Sequence, residues 1–182
     1  MKHLLPARPN ETDEPGKRRP LPLITIRTTA NYYKALISPG CDLKAVIGNA
    51  AGDPVGTATY AQSPLGDRVY VFGIEVHAVC RRQGYALAVL RYLAHTYGVP
   101  MTPIHELHSA SRFWSAARHM DGMGLILTAS LSSSEMDNES ARWKHLRADS
   151  DRLQKQITER LIHGEPWEIA VGRGLDEATV TV

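Results

Sequence analysis

The sequence predicts an α/β fold of the α+β kind, a central mixed β-sheet flanked by helices, with a C-terminal helical extension. Three observations predict it. Runs rich in β-branched residues fill most of the stretch from Leu23 to Val79. A helix with one apolar face follows the longest of them directly, and the last third of the chain turns polar with only a narrow apolar stripe. Hydrophobic residues make up 43% of the 182 residues and charged ones 22%, which is ordinary globular usage and enough for one packed core.

Each element has its own signal. Residues 1–22 hold five prolines and mixed charge, and form a flexible N-terminal arm with little to bury. Its Lys17-Arg18-Arg19 run is a solvated surface or a basic anchor for an acidic partner. "LITIRTT" (Leu23 to Thr29) alternates apolar and polar residues as a strand does. "LKAVIGNAAGDPVGTATYA" gives two strands around Gly52-Asp53-Pro54, and "SPLGD" marks the next turn. "RVYVFGIEVHAV" is apolar on both alternating faces up to Glu75, the pattern of a central strand. Ala86, Val89, Leu90, Leu93 and Tyr97 then share a helical face that Gly98 and Pro100 terminate. "MTPIHELH" is a weaker strand, "SASRFWSAARHM" a short helix and "GLILTASL" a further strand.

The stretch from Ser132 to Gly164 is expected to be one long helix, opened by a capping box of Ser132 and Glu135. Trp143, Leu146, Leu153 and Ile157 mark its stripe, which would dock on the domain or pair two copies as a homodimer. "WEIAVGRGLDEATVTV" offers two short strand-like runs, as in a hairpin. The domain organisation is therefore an arm (1–22), a core domain (23–131) and an extension (132–182).

The turn between the longest strand and its helix carries the chemistry. Backbone N–H groups at a helix start have no intrahelical partner, and the helix dipole makes that end partly positive. Arg81, Arg82, Gln83, Gly84, Tyr85 and Ala86 lie there, with two small residues to admit an anion and side-chain donors beside them. The alternative is an ordinary turn whose glycine relieves crowding. Neither G-x-x-x-x-G-K-[ST] nor G-x-G-x-x-G is present.

"GIEVHAVCRRQGYALAVLRYL" resembles the acetyl-CoA signature of the GNAT superfamily of N-acetyltransferases, with Arg81, Gly84 and Ala86 at the R/Q-x-x-G-x-G/A positions and Ile74 and Val76 on the strand before. "DLKAVIGNAAGDPVGTATYA" is similar to that family's second and third strands. The resemblance, over about residues 23–131, implies acetyl-CoA as co-substrate and no metal. Amides from Arg82 to Leu87 would hold the pyrophosphate, and backbone groups near Ile74 and Val76 would pair with the pantetheine arm. An amine, on a small molecule or a peptide, would attack the thioester directly, leaving Cys80 a small buried thiol.

Removing the amine's proton needs a base. Glu75 is the first candidate, with a hydrogen-bonded structural carboxylate as its alternative. His105, Glu106 and His108 lie near the next strand's end, and His108 is the second catalytic candidate. The resemblance implies a tyrosine acid in the following helix, but Trp114 stands at that position, and Leu107 at an asparagine-like one. An indole N–H is no proton-donating acid, so the role falls to Ser109, Ser111, Ser115 or water. The dozen residues around Tyr32 and Tyr33 leave no room for the family's usual helix pair, so the acceptor wall must be open or completed elsewhere. The runner-up is a GNAT-fold protein without catalysis that binds a protein partner through its C-terminal helix.

The bulk composition sets the partners. Twenty-one basic residues against 19 acidic ones argue against nucleic acid, including the aminoacyl-tRNA substrates of some GNAT enzymes. No apolar run reaches a membrane span. Two cysteines without metal spacing, and no secretory leader, point to the cytoplasm.

Overall fold

A computed structural model describes residues 20–31, 42–120, 124–172 and 179–181. The Lys17–Arg19 run, Tyr32, Tyr33 and Cys41 lie outside the described residues. Six strands form one sheet: β1 (Thr25–Asn31), β2 (Asp42–Gly48), β3 (Pro54–Gln62), β4 (Val69–Val76), β5 (Met101–Pro103) and β6 (Thr179–Thr181). Their order is β5-β4-β3-β2-β1-β6. β5 is parallel to β4 and every other pair is antiparallel, so the sheet is mixed.

Strand alternation divides the side chains between two faces, one covered and the other covered only in part. Ile24, Ile26, Ala45, Ile47, Ala58, Tyr60, Val69 and Val71 pack on Val89, Leu90 and Leu93 of helix α1 (Tyr85–Tyr97). α2 (Ser111–Arg118) adds Trp114 and Ala117 to this core. Each fully buried aliphatic side chain contributes roughly 1.5–3 kcal/mol of transfer free energy. On the other face Tyr70 and Phe72 meet Met136 of α3 (Ser133–Glu139), Trp143 and Leu146.

α1 has the expected limits. Gly84 (φ 91°) precedes it and Gly98 (φ 65°) ends it, donating its N–H to the Ala94 carbonyl at 2.9 Å. Left-handed backbone at both ends is the reason for glycine there. The β2–β3 turn is held by Asn49, whose Oδ1 accepts from the N–H groups of Ala51 and Asp53, each at 2.9 Å. The capping box is present too: Ser132 Oγ accepts from Glu135 N–H, and Ser132 N–H donates to Glu135 Oε2 at 2.7 Å.

Three expected elements differ. "GLILTASL" is no regular strand, because it meets β5 and its end only at single bridges, Met101 with Leu127 and Ile104 with Leu131. Met101 N–H donates to Ile126 O and Thr128 N–H to Met101 O, after which a parallel ladder needs a donor from residue 103. That residue is Pro103, which has none. Arg118 Nε fills the gap, donating to the Thr128 carbonyl at 3.2 Å.

The long C-terminal helix is in fact three pieces: α3, a 3₁₀ segment Ser140–Leu146, and α4 (Arg147–Ile162). The break lies at Trp143 (φ −118°, ψ 17°), whose ring is buried 5.8 Å from that of Tyr70. Trp143 and Ile157, half of the expected stripe, are thereby buried within the chain itself. The final hairpin does not form either. Trp167–Gly172 is a helix, α5, started by Pro166, whose carbonyl accepts from Ile169 and Ala170. Only the second run is a strand, β6, which pairs with β1. No described helix is long and apolar enough to cross a membrane.

A polar network ties the extension to the sheet. Tyr70 donates its hydroxyl to Glu139 Oε1 at 2.7 Å, and Arg142 Nη1 donates to the same oxygen at 2.6 Å while its Nη2 reaches Asp67. Burial, then the hydrogen bond to Glu139, pushes the Tyr70 phenol above its ordinary range. Burial also pushes Glu139 upward, but the hydrogen bonds from Tyr70 and Arg142 and two guanidinium charges outweigh it and hold the carboxyl low. The hydrogen bond from Arg142 lowers Asp67 likewise.

A carboxylate depressed in the folded state stabilises above its unfolded pKa, near ~4 for these groups, and loses that contribution as pH falls through the folded value. Stability measured through Trp143 fluorescence should therefore be flat from about pH 7 to pH 5 and decline below about pH 4. Glu139→Gln should remove much of that acid dependence and cost about 1–2 kcal/mol at neutral pH, reduced by partial exposure. An unchanged acid profile in the variant would exclude this network as its origin.

Candidate active site

The site begins with a register fault in β4. Thr59 stands opposite Gly73 but Tyr60 opposite Val71, so Phe72 is an extra residue, a β-bulge. At the same level β5 leaves: its pairing ends at Val71–Pro103, and the Ile104 N–H to Val71 carbonyl bond, 2.8 Å, closes the contact. From Phe72 to Val76, β4 has β3 on one side and no strand on the other among the described residues.

The bulge also reverses which backbone groups face that open edge. His77 N–H donates to Val55 O, so His77 and Glu75 direct their backbone groups toward β3. Antiparallel pairs alternate, so Ile74 and Val76 direct theirs at the open edge. Arg81 Nε occupies one of these groups, donating to the Val76 carbonyl at 3.0 Å.

The turn after β4 runs through a 3₁₀ segment, Ala78–Cys80, into α1. Arg82 (φ 63°) and Gly84 (φ 91°) are both left-handed. Among the described residues the N–H groups of Arg82, Gln83, Gly84, Tyr85, Ala86 and Leu87 have no backbone acceptor. The first turn of α1 has no acidic residue and no side-chain cap. Helix starts normally attract such groups, and this one has none of its own. The Gln83 side chain braces the turn, its Nε2 donating to the Val79 carbonyl at 3.1 Å.

Three residues that the motif did not single out, Leu21, Pro22 and Gly56, shape this turn. A Cβ on Gly84 would lie 3.1 Å from Pro22 Cδ and 3.4 Å from Leu21 Cδ2, so the end of the N-terminal arm rests on this glycine. Gly56 lets β3 approach β4: a Cβ there would lie 2.2 Å from the Glu75 carbonyl oxygen and 3.0 Å from Val76 Cα. The V-G pair and the Gly73 in an otherwise apolar strand were the available signals for this crowding and for the bulge.

The catalytic candidates are less closely grouped than the cofactor residues. Glu75 is exposed and faces away from the core, so its place in an apolar run needs no buried partner. His108 is exposed in the 3₁₀ turn His108–Ala110 before α2, and no hydrogen bond joins it to Glu75. His105 is left-handed (φ 56°) and donates its N–H to Leu131 O at 2.9 Å. Glu106 is an ion-pair partner of Arg118, and so helps hold the guanidinium that substitutes for the missing Pro103 donor. Trp114 is 6% exposed and packs edge-on to Phe113 at 5.0 Å, making it a core residue. Ser109, Ser111 and Ser115 are exposed, and Cys80 is half-buried against the core.

Residues 14–98 match the acetyltransferase (GNAT) family model. The matched stretch is a little under half of the chain. The GNAT match includes β1 to β4 and α1, and with them both the open strand edge and the cradle. Among solved structures nourseothricin acetyltransferase is similar at 18% identity, over 44% of this chain and 61% of that one, with a TM-score of 0.26. The chain thus spans less than two thirds of that protein's length. Among curated proteins none matches.

Gly56→Ala should force the end of β4 away from β3, because its nearest obstacle is backbone and not a flexible side chain. A stability loss of about 1–3 kcal/mol is expected from such overpacking. A melting curve indistinguishable from wild type would show that the strand ends separate freely.

Proposed function

We propose that the protein transfers an acetyl group from acetyl-CoA to an amine. One observation supports this most directly: among the described residues, a helix start with six N–H groups lacking a backbone acceptor, and no acidic residue in its first turn, follows a strand whose edge is open at Ile74 and Val76. The donors from Arg82 to Leu87 hold the pyrophosphate, with Arg81 and Arg82 adding positive charge. Ile74 and Val76 pair with the amides of the pantetheine arm as an added strand would.

The reaction is acyl transfer without a covalent enzyme intermediate. The acceptor nitrogen forms a bond to the thioester carbonyl carbon and the carbon–sulfur bond breaks. Glu75 takes the proton the nitrogen loses, directly or through water, and His108 is the second candidate for that role. With Trp114 in the core, the leaving thiolate takes its proton from water. The acceptor reaches the thioester over the exposed sheet face that carries Glu75.

Ala86→Asp tests the cradle. A carboxylate in the first turn of α1 favours the helix by about 0.3–1 kcal/mol, yet repels a pyrophosphate. Calorimetric titration with acetyl-CoA should show at least a tenfold loss of affinity with an undiminished melting temperature, by roughly the worth of one charge-assisted contact. Unchanged affinity would remove the helix start from the site.

Glu75→Gln tests the base. The turnover rate should fall by about 10²–10⁴ with little change in acetyl-CoA affinity, and the limb of the pH–rate profile that reports the base should disappear. A variant with the wild-type profile would transfer the role to His108 or to water.

A further inference from the structure

The face of the sheet that carries Glu75 also carries two cations without an ion-pair partner among the described residues. Across four strands the register runs Arg27 opposite Val46, Val46 opposite Thr57, and Thr57 opposite Glu75. The adjacent row on the same face runs Thr29, Lys44, Thr59, Gly73. Directly paired residues point to one side, so Arg27, Lys44 and Glu75 share a surface. All three are exposed, while Val46, Thr57 and Thr59 between them are half-buried.

Arg27 and Lys44 are diagonal neighbours, about 7–8 Å apart, and like charges so placed repel. No described carboxylate lies within ion-pair distance of either. Glu75 is the acid of the same row, but it stands three strand spacings from Arg27, roughly 14 Å between Cα atoms. The face therefore has an anionic end, a low floor with two threonine hydroxyls, and a cationic end where no described carboxylate pairs with Arg27 or Lys44, the nearest strand acid on that face, Asp42, being buried.

We propose that the acceptor lies across this floor, its amine at Glu75 and a carboxylate or phosphate group at Arg27 and Lys44. The substrate class is an amine with an acidic group about 10 Å from its nitrogen, set by the strand spacing. An α-amino acid is too short to reach both ends. This rests on the acetyl-transfer reading for the fate of the amine, but the binding of the acidic group does not.

The test uses 8-aminooctanoate, 8-aminooctyl phosphate, the uncharged 8-aminooctanamide, 1,8-diaminooctane and the short 3-aminopropanoate. Each is titrated calorimetrically into the wild-type chain and into Arg27→Glu/Lys44→Glu, and each is also offered as an acceptor with acetyl-CoA. At least one long acid should bind about tenfold more tightly than the amide, as expected for a partly exposed charge-assisted contact. That preference should shrink with added salt, and the variant should favour the diamine. The carboxylate and phosphate arms show which acid is preferred.

Equal binding of the acids and the amide, a preference unchanged in the variant, 3-aminopropanoate binding as tightly as the long acids, or no binding of any amine would overturn the proposal. Acetylation of acid and amide alike would leave acetyl transfer standing without this subsite. Selective binding without acetylation of any amine would keep the subsite and count against acetyl transfer.

Discussion

The bulge at Phe72 governs both surfaces of the site. Side chains and backbone groups on a strand alternate with period two, so one extra residue exchanges their destinations from that point on. Before it Val71 faces the core and its carbonyl bonds the chain beyond β5; after it Ile74 packs on the core and the backbone groups of Ile74 and Val76 look outward. Without the extra residue Glu75 would be turned toward α1 and the apolar core. The same insertion thus releases the strand edge and places a carboxylate on the open face beside it. Gly56 lets β3 stay close to this part of β4.

The cradle depends on what is left out as much as on what is present. A thirteen-residue helix that begins on left-handed glycine, with no side-chain cap, gives up local stabilisation that a Ser, Asp or Glu would supply. Arg81 and Gln83 hold the preceding turn by bonding the carbonyls of Val76 and Val79. Leu21 and Pro22 close the other side of Gly84.

Much of this was legible in the sequence wherever a local signal decided the structure. Alternation placed β1 to β4, Gly84 and Gly98 bounded α1, and Ser132 with Glu135 marked the start of α3. The failures share a cause: a distant partner overrode a local pattern. Residues 124–131 have the composition of a strand, but Pro103 on the neighbouring chain withholds the donor that a ladder needs. The helical periodicity from Ser132 onward continues through Trp143, yet burying that ring against Tyr70 breaks the helix. In "WEIAV" the strand-like composition loses to Pro166, which starts a helix. Within the site, the residue types of the cradle could be read directly. The phase reversal at Phe72 could not, because a bulge is defined by the strand opposite.

An unpaired strand edge has a cost of its own. It offers the donors and acceptors that another extended chain needs, which is how sheets recruit unwanted neighbours. Here the vulnerable length is short. The chain beyond β5 still bonds Val71, and Arg81 covers the carbonyl of Val76, leaving only a few groups between them. A ligand requiring two or three hydrogen bonds can settle there, whereas a whole strand meets a charged guanidinium where its pairing would continue. The arginine that steadies the turn thus also shortens the length of edge that another strand could use.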